Sequence, residues 1–274
     1  MHTYTDGRHE HGQNFLRDQR IIRQMTDLAA QTQGPILEVG PGRGALTFPL
    51  EELGRPLTAV EIDRRLAQRL SRRCGRRTSI VHGDFLQHRL PETAHTIIGN
   101  LPFHLTTAIL RRLLHHRRWE QAVLITQWEV ARRRAGVGGA SMMTAQWMPY
   151  YSFALQGRVP AHAYSPAPAV DGGILTVTRR RDPLLPWNQR STYSGVVHRM
   201  FTGPGRGMAQ ILHRAYGLSR AEAGRALGEV GVRGSALPKQ LTAEQWAGLF
   251  QRCAAFGGSE LSAGRGRRKR RPAR

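Results

Sequence analysis

The sequence contains few of the residues that build covalent or metal-bound frameworks. Only two cysteines occur, Cys74 and Cys253, and neither belongs to a Cys-x-x-Cys pair or a Cys/His cluster. This excludes a disulfide framework and argues against a structural zinc site. Most of the 12 histidines are scattered along the chain. We therefore expect them to be solvated, and we expect no resident metal ion.

Long apolar runs are also missing. No segment approaches the roughly 18 consecutive apolar residues that a membrane-spanning helix needs. The first residues, MHTYTDGRHEHGQNFL, lack the apolar stretch of a secretory signal peptide. The sequence therefore predicts a soluble, cytoplasmic protein that does not associate with a membrane.

Acidic residues and lysine are scarce beside arginine. The chain has 41 Lys+Arg against 19 Asp+Glu, a net charge of +22, and its only lysines are Lys239 and Lys269. A GC-rich genome favours arginine codons, so the preference for arginine says little about function. The net excess is more informative, because a positive field of this size attracts polyanions and speeds association. Nucleic acid is the favoured partner.

Strands and helices alternate through most of the chain. The apolar runs GPILEVG, PLTAVEID, TSIVHGD, HTIIGN and EQAVLITQ predict successive strands separated by helical segments. Such alternation indicates βαβ units and a parallel sheet with helices on its faces. ALQGRVP and GGILTVTRR, separated by a proline-rich loop, predict an antiparallel addition at one edge of that sheet.

Short amphipathic helices replace the strands from about residue 184. They are predicted over 189–202, 207–216, 219–230 and 242–255. The predicted organisation is an N-terminal arm (1–19), an α/β domain (20–183), a small helical domain (184–256) and a disordered arginine-rich tail (257–274). The tail ends in GRGRRKRRPAR, which has almost nothing apolar to bury. It predicts nonspecific phosphate binding, with a purely solubilising role as the alternative.

A glycine-rich turn follows the first predicted strand. ILEVGPGRGALT places Gly40, Gly42 and Gly44 between this strand and a helix. Glycines there let the backbone turn sharply and let a ligand approach the chain closely. Glu61 ends the second strand, where a carboxylate can accept hydrogen bonds from both ribose hydroxyls. This spacing indicates a nucleotide-containing cofactor.

The acidic residues around this turn favour a cationic cofactor. Glu38 precedes the glycines, and Asp84 ends the third strand, where its carboxylate can accept from an exocyclic amine beside the Phe85 ring. A dinucleotide site normally reads GxGxxG and needs no second acidic strand end. S-adenosylmethionine, with its sulfonium and ammonium groups, fits better than NAD. An NAD-linked oxidoreductase is the alternative.

The fourth predicted strand ends in Asn100-Leu101-Pro102-Phe103, at the edge where open α/β sheets bind ligands. The Asn100 side-chain oxygen and the Leu101 carbonyl can each accept one N–H of a base amine and aim its lone pair. Pro102 has no competing N–H and keeps Leu101 extended. Phe103 can stack on the base, worth about 1–3 kcal/mol. Taken alone, the motif also suits a helix cap with a core phenylalanine.

These motifs together resemble those of the adenine-N6 rRNA methyltransferases, which include the Erm resistance methyltransferases and the small-subunit rRNA dimethylases. The resemblance covers about residues 9–180. It rests on GQNFL (12–16), LEVGPGRGALT (37–47), VEID (60–63), GDFL (83–86), NLPF (100–103) and AYSPAPAVDGG (163–173). It implies an α/β class I methyltransferase (Rossmann-like) fold: a mixed, mainly parallel sheet and a small all-helical C-terminal domain.

The resemblance also implies the roles of individual residues. The cofactor-binding set would be Gln13, Asn14, Leu16, Gly40, Gly42, Glu61, Ile62, Asp84, Phe85 and Asn100. The catalytic set would be Asn100, Leu101, Phe103 and Tyr164. In the family an aromatic ring of an F-x-P-x-P-x-V loop closes the second face of the flipped adenine, and Tyr164 holds that position. Base extrusion costs a few kcal/mol, which two stacking rings would largely offset.

The two branches of the family differ in substrate. Small-subunit dimethylases carry an RRKTL-like segment where this chain has VVHRMFTGPGRGMAQIL, which looks like actinomycete Erm proteins. The resemblance therefore implies methylation of an adenine N6 in 23S rRNA, with resistance to macrolides, lincosamides and streptogramin B. No obligate protein partner is evident from the sequence, and we expect a monomer. A small-subunit rRNA dimethylase, or a non-catalytic nucleic-acid-binding protein on the same scaffold, is the alternative.

Overall fold

The computed structural model describes residues 14–256, with side chains described as far as Cys253. The chain divides into two compact units. The α/β unit comprises the residues up to Ala135 together with Phe153–Arg179, and the helical unit comprises Gly136–Ser152 together with the residues from Arg180 onward.

A seven-stranded mixed sheet organises the α/β unit. The strands of the chain are β1 (Phe15–Leu16), β2 (Ile36–Val39), β3 (Leu57–Glu61), β4 (Thr78–His82), β5 (His95–Asn100), β6 (Trp119–Gln127), β7 (Tyr151–Val159), β8 (Tyr164–Ser165) and β9 (Gly172–Arg179). The order in the large sheet is β4-β3-β2-β5-β6-β9-β7. The strands from β4 to β6 run parallel, and β9 is antiparallel to β6. The predicted mainly parallel sheet with an antiparallel edge is confirmed.

The sheet order brings the predicted motifs to one edge. β2 lies between β3 and β5, with Val39 opposite both Val60 and Gly99. The carboxyl ends of these three strands therefore meet where the order of the chain reverses, the place at which open α/β sheets bind ligands. A Cβ on Gly99 would lie only 2.6 Å from the Val39 carbonyl oxygen. Only glycine lets the two strand ends approach this closely.

Helices cover the sheet and supply much of its core. They are α1 (Gln19–Ala30), α2 (Thr47–Glu51), α3 (Arg64–Ser71), α4 (Thr106–His115) and α5 (Trp128–Arg134). The helix α1 begins at Asp18, whose carboxylate accepts from the amides of Arg20 and Ile21. Its buried side chains Ile22 and Met25 pack in one cluster with residues of the central strands. Each such side chain contributes about 1.5–3 kcal/mol on burial.

The helical unit is held by aromatic and backbone-directed contacts. Its helices are α6 (Met142–Trp147), α7 (Arg190–Thr202), α8 (Met208–Tyr216), α9 (Arg220–Gly228) and α10 (Ala243–Phe256). The Tyr193 hydroxyl donates to the Ala145 carbonyl at 2.7 Å, and its ring meets Phe250 edge-on. These contacts group α6 with the later helices, although α5 and β7 flank it in sequence.

The helices predicted after residue 184 appear with their ends shifted by one or a few residues. The predicted domain boundaries are less accurate. We expected one uninterrupted α/β domain over 20–183, whereas Gly136–Ser152 joins the helical unit and the later division falls after Arg179. The sequence gives α6 no distinctive pattern, because its place depends on distant partners. Among the described residues, every helix is too short or too polar to cross a bilayer.

Candidate active site at the carboxyl edge of the sheet

The glycine turn adopts a backbone that other residues rarely take. Gly40, Gly42 and Gly44 have φ values of 64°, 57° and 89°, all left-handed. A Cβ on Gly40 would meet nothing within 4 Å, so this part of the turn is open to a ligand. A Cβ on Gly42 would lie 3.3 Å from the Phe15 ring. The turn is therefore open to a ligand at Gly40 and packed against Phe15 at Gly42.

Glu61 fastens the turn to the end of β3. One of its carboxylate oxygens accepts from the Gly42 amide at 2.8 Å, and the other accepts from the Asp63 amide at 2.9 Å. The side chain is buried, which raises the pKa of Glu61, while these backbone hydrogen bonds act in the opposite direction. A carboxylate has about four acceptor positions. Glu61 therefore retains acceptor capacity for a ribose hydroxyl.

Glu38 lies beneath the turn as a buried carboxyl. Thr47, at the start of α2, donates its hydroxyl to Glu38 at 2.8 Å. Burial raises the pKa of Glu38 to about 8, and the nearby charge of Glu61 adds to the rise. Glu38 is thus mostly protonated at neutral pH. A cation bound nearby would favour its ionised form, so this acidic wall suits a positively charged ligand. The support from Thr47 has no recognisable sequence signal.

The end of β4 is more closed than the sequence suggests. Asp84 accepts from the Leu86 amide at 2.8 Å and from the Gln87 side chain at 3.2 Å. Phe85 is only 6% exposed, so most of the ring predicted to contact adenine is packed away. Ile62, in contrast, is 50% exposed beside Glu61. It is the more accessible apolar surface for an adenine ring.

Asn100, at the end of β5, does not cap a helix. Its side-chain nitrogen donates to the Asn14 carbonyl at 3.1 Å, which leaves the side-chain oxygen as an acceptor. The following one-turn helix, Phe103–Leu105, begins at Pro102 without any side-chain cap. Phe103 is partly exposed rather than in the core. The alternative of a helix cap with a core phenylalanine therefore does not describe this motif.

Leu101 contributes its backbone rather than its side chain. Its amide donates to the Ile125 carbonyl at 3.0 Å, which ties the motif to β6. Its side chain is 2% exposed and serves the core. The next carbonyl, of Pro102, accepts from the Leu105 amide at 2.9 Å. The arrangement around Asn100 and Leu101 can accept two N–H groups from an amine.

Tyr164 is buried more deeply than a stacking residue requires. It is 4% exposed, and its ring lies in the core cluster with Leu16 and Ile125. Within the described part of the chain its hydroxyl has no hydrogen-bond partner. Burial, with Asp171 nearby, raises the pKa of Tyr164 above its usual range. The ring face is packed here, so stacking on a base would require the ring to move.

The N-terminal arm joins this site through a two-residue ladder. β1 pairs antiparallel with β8, placing Leu16 opposite Tyr164. The Arg17 amide donates to the Ala163 carbonyl at 2.8 Å. The Arg43 guanidinium lies 4.3 Å from the centre of the Phe15 ring, next to the glycine turn. This pairing could not be predicted from the sequence, because two residues carry no periodicity. Gln13, also predicted to bind the cofactor, lies outside the described residues.

These features fit S-adenosylmethionine. The turn is open at Gly40, two acidic side chains lie beside it, and Ile62 offers an exposed apolar surface. Among residues 14–256, no three His, Cys, Asp or Glu side chains are grouped to hold a metal ion. The arrangement can hold a cationic nucleoside cofactor on one strand end and an amine on the next.

Comparison with known proteins agrees with this geometry. The family model described as ribosomal RNA adenine dimethylase matches residues 5–255. The rRNA adenine N-6-methyltransferase of Corynebacterium diphtheriae is 55% identical over 215 residues, which cover 78% of this chain and 85% of that protein. The mycinamicin-resistance protein MyrB of Micromonospora griseorubida is 42% identical over 265 residues, covering 96% and 85%.

A solved structure is similar in both fold and sequence. The crystal structure of the 23S rRNA methyltransferase ErmE superposes with a TM-score of 0.81 at 34% sequence identity. The alignment covers 88% of this chain and 99% of that structure. The similarity therefore extends over both compact units.

Proposed function

The chain belongs to the ribosomal RNA adenine dimethylase family, and from that premise we propose that it methylates the N6 amine of an adenine in 23S rRNA with S-adenosylmethionine as donor. Its relatives are named as rRNA adenine N-6-methyltransferases, and they include a mycinamicin-resistance protein. The chain is accordingly an rRNA adenine N6-methyltransferase of the Erm type. The 23S substrate is supported by the likeness to ErmE.

One observation carries the proposal: the residues proposed to hold the methyl donor and those proposed to hold the target amine lie at the ends of adjacent strands. The glycine turn follows β2 and Asn100 ends β5, and Val39 lies directly opposite Gly99 in these paired strands. The close approach that Gly99 permits brings the open turn beside the Asn100 amide. Methyl transfer between two bound molecules needs such proximity more than it needs a general base.

We assign the cofactor to the residues around the turn. Gly40 and Gly42 would hold its methionyl end, Glu61 its ribose and Asp84 its adenine amine, with Ile62 and Phe85 as apolar contacts. The arm would add Gln13, Asn14 and Leu16. When bound, S-adenosylmethionine supplies a methyl group on a positively charged sulfur. The unshared acceptor capacity of Glu61 supports the ribose assignment.

The chain's own contribution is to orient the target amine. The Asn100 side-chain oxygen and the Leu101 carbonyl each accept one N–H, which turns the nitrogen lone pair toward the methyl donor. Pro102 has no N–H that could compete. Phe103 stacks on one face of the flipped adenine, and we propose Tyr164 for the other face once its ring leaves the core. The product amine then loses its proton to water.

We further propose that the methyl group confers resistance to macrolides, lincosamides and streptogramin B, as the name of MyrB suggests for mycinamicin. The helical unit and the tail of residues 257–274, which lies outside the described residues, would bind RNA through phosphate contacts. Since the substrate is ribosomal RNA, we place the enzyme in the cytoplasm.

Methyl transfer to separated ribosomal RNAs tests the proposal. Purified protein, labelled S-adenosylmethionine and either 23S or 16S transcripts should give label only in 23S rRNA, at the N6 of adenine. Label only in 16S rRNA would support the small-subunit dimethylase instead. Binding of RNA without any transfer would support the non-catalytic alternative.

A further inference from the structure

The amide of Asn100 has two chemically opposite ends. Its oxygen accepts hydrogen bonds, whereas its NH₂ group only donates. Under the proposed function the target is also an NH₂ group, so a flipped amide would present donors to donors and lose the contact. Rotation of the amide by half a turn about its last side-chain bond is sterically easy, because that torsion is broad and nearly two-fold. Some neighbour must therefore fix its orientation.

The structure contains such a neighbour in the N-terminal arm. The Asn14 carbonyl accepts from the Asn100 side-chain nitrogen at 3.1 Å. A carbonyl can only accept, so this partner requires the nitrogen end and turns the oxygen end the other way. The contact joins residues 86 positions apart. It exists only when the arm lies across the end of β5.

Three contacts keep the arm there. The Leu16 side chain is 5% exposed in the core cluster, and it pairs with Tyr164 across the two-residue ladder. The Arg17 amide donates to the Ala163 carbonyl at 2.8 Å. The Phe15 ring packs against the glycine turn, where the Arg43 guanidinium lies 4.3 Å from the ring centre and a Cβ on Gly42 would lie 3.3 Å from the ring. The residues that directly follow Asn14 are thus anchored to the α/β unit.

We propose that the N-terminal arm positions the target-binding amide: the Asn14 carbonyl holds the Asn100 nitrogen so that the Asn100 oxygen faces the target amine. Asn14 then acts through its backbone, and any side chain at that position supplies the same carbonyl. The proposal rests on the proposed function for its chemical meaning, but the hydrogen bond itself can be measured without any substrate.

The composition of the chain makes this measurement simple. Asparagine occurs only at positions 14, 100 and 188, so protein labelled with ¹⁵N in asparagine side chains gives a small set of NH₂ signals. The signal of Asn100 is identified by its loss in Asn100→Asp, and that of the exposed Asn188 serves as an internal control. One neutral hydrogen bond should slow exchange of the Asn100 NH₂ with water by about 2- to 10-fold.

Matched variants at an exposed position release the arm. Arg17→Pro removes the shorter of two amide hydrogen bonds to the Ala163 carbonyl and leaves that of Asp18 at 3.3 Å. Arg17→Ala removes the same side chain and keeps both amides. Leu16→Ala loosens the anchor by a second route. We expect Arg17→Pro and Leu16→Ala to accelerate exchange of the Asn100 NH₂, and Arg17→Ala to match the wild type. Unchanged exchange in both loosened variants would overturn the proposal.

Turnover provides the second readout. Arg17→Pro should lower kcat at saturating cofactor by about 2- to 10-fold, and its effect should be smaller in the Asn100→Asp background, where the NH₂ group is already lost. Fully additive effects would contradict positioning through this bond. If the wild type transfers no methyl group, the proposed function fails, while the exchange measurement still decides whether the arm holds the amide.

Discussion

The two sides of this site are built in opposite ways: the donor side, which would hold the methyl donor around the glycine turn, and the acceptor side, which would hold the target amine at Asn100. On the donor side, Glu61 contacts Gly42, 19 positions earlier, and Asp63, two positions later, so both contacts are closer in the chain than those of Asn100. On the acceptor side, Asn100 is held by Asn14 from 86 positions away, and Tyr164 pairs with Leu16. A local site leaves a motif in the sequence, whereas a site assembled from distant segments leaves separate fragments.

Asn100→Ala, on the acceptor side, should have the largest effect, a loss of methyl transfer. We expect transfer to fall by about 100- to 1000-fold, the range for removing one preorganised polar contact to a reacting group. RNA binding should change little. Cofactor affinity should fall less than transfer does, because Asn100 is one of several predicted cofactor contacts but the main predicted contact of the target amine. Single-turnover transfer, with RNA and cofactor affinities measured in parallel, checks this. Transfer at the wild-type rate would refute the assigned contact.

Glu38→Gln should reveal the buried carboxyl of the donor side through the pH dependence of stability. The pKa of Glu38 rises from 4.5 to about 8 on folding. Below pH 4.5 the carboxyl is protonated in both states. Between pH 4.5 and pH 8 the Glu38 carboxyl is ionised in the unfolded chain but still protonated in the folded one. This group therefore destabilises the fold increasingly as pH rises. Above pH 8 that penalty is complete.

Glutamine stays neutral and can still accept from Thr47. We therefore expect Glu38→Gln to stabilise the ligand-free protein by about 2–4 kcal/mol at pH 8.5 and to have little effect at pH 4.5. Urea unfolding at the two pH values measures the difference, with the exposed Glu52→Gln as a control for loss of a surface charge. An equal effect of Glu38→Gln at both pH values would contradict the assigned protonation.

Gly42→Ala should strain the glycine turn by an intermediate amount. The left-handed φ of 57° costs a residue with a Cβ about 1–2 kcal/mol, and the added carbon lies close to the Phe15 ring. We expect a lower free energy of unfolding and weaker binding of S-adenosylmethionine, both measured by calorimetry. Gly224→Ala is the matched control, since a Cβ there meets nothing within 4 Å in the helix α9. It should be neutral or slightly stabilising.

Tyr164→Phe, on the acceptor side, should have the smallest effect, a change in the free energy of unfolding. It removes a buried hydroxyl that has no described partner, so we expect the ligand-free protein to gain about 1 kcal/mol of unfolding free energy. Tyr193→Phe removes a hydroxyl bonded to Ala145 at 2.7 Å and should lose about as much. Thermal unfolding of both variants makes the comparison. A loss in Tyr164→Phe would mean that its hydroxyl is satisfied in solution.

Much of the fold could be predicted because its signals are local. The apolar runs of β2 and β5 are almost wholly buried, and such strands are typical of a parallel sheet covered on both faces. The helices after residue 184 follow their own periodicity. The segment containing α6 could not be assigned, because Tyr193 and its neighbours decide its place and lie far along the chain.

The same distinction applies within the site. Gly42 and Glu61 could be paired from their spacing, and the structure brings them within 2.8 Å. The contact between Asn14 and Asn100 could not be predicted, since it depends on a two-residue ladder with β8. The deep burial of Tyr164 and Phe85 also follows from tertiary packing. Their contacts with bound ligands stay predictions.

Nucleoside analysis of treated RNA tests the central claim most directly. After incubation with S-adenosylmethionine and wild-type protein, 23S rRNA should yield N6-methylated adenosine at one position, and Asn100→Ala should yield almost none under the same conditions. Methylation by Asn100→Ala at the wild-type level, or a complete lack of N6-methylated adenosine with the wild type, would contradict the account of an amine held at the end of β5 beside its methyl donor.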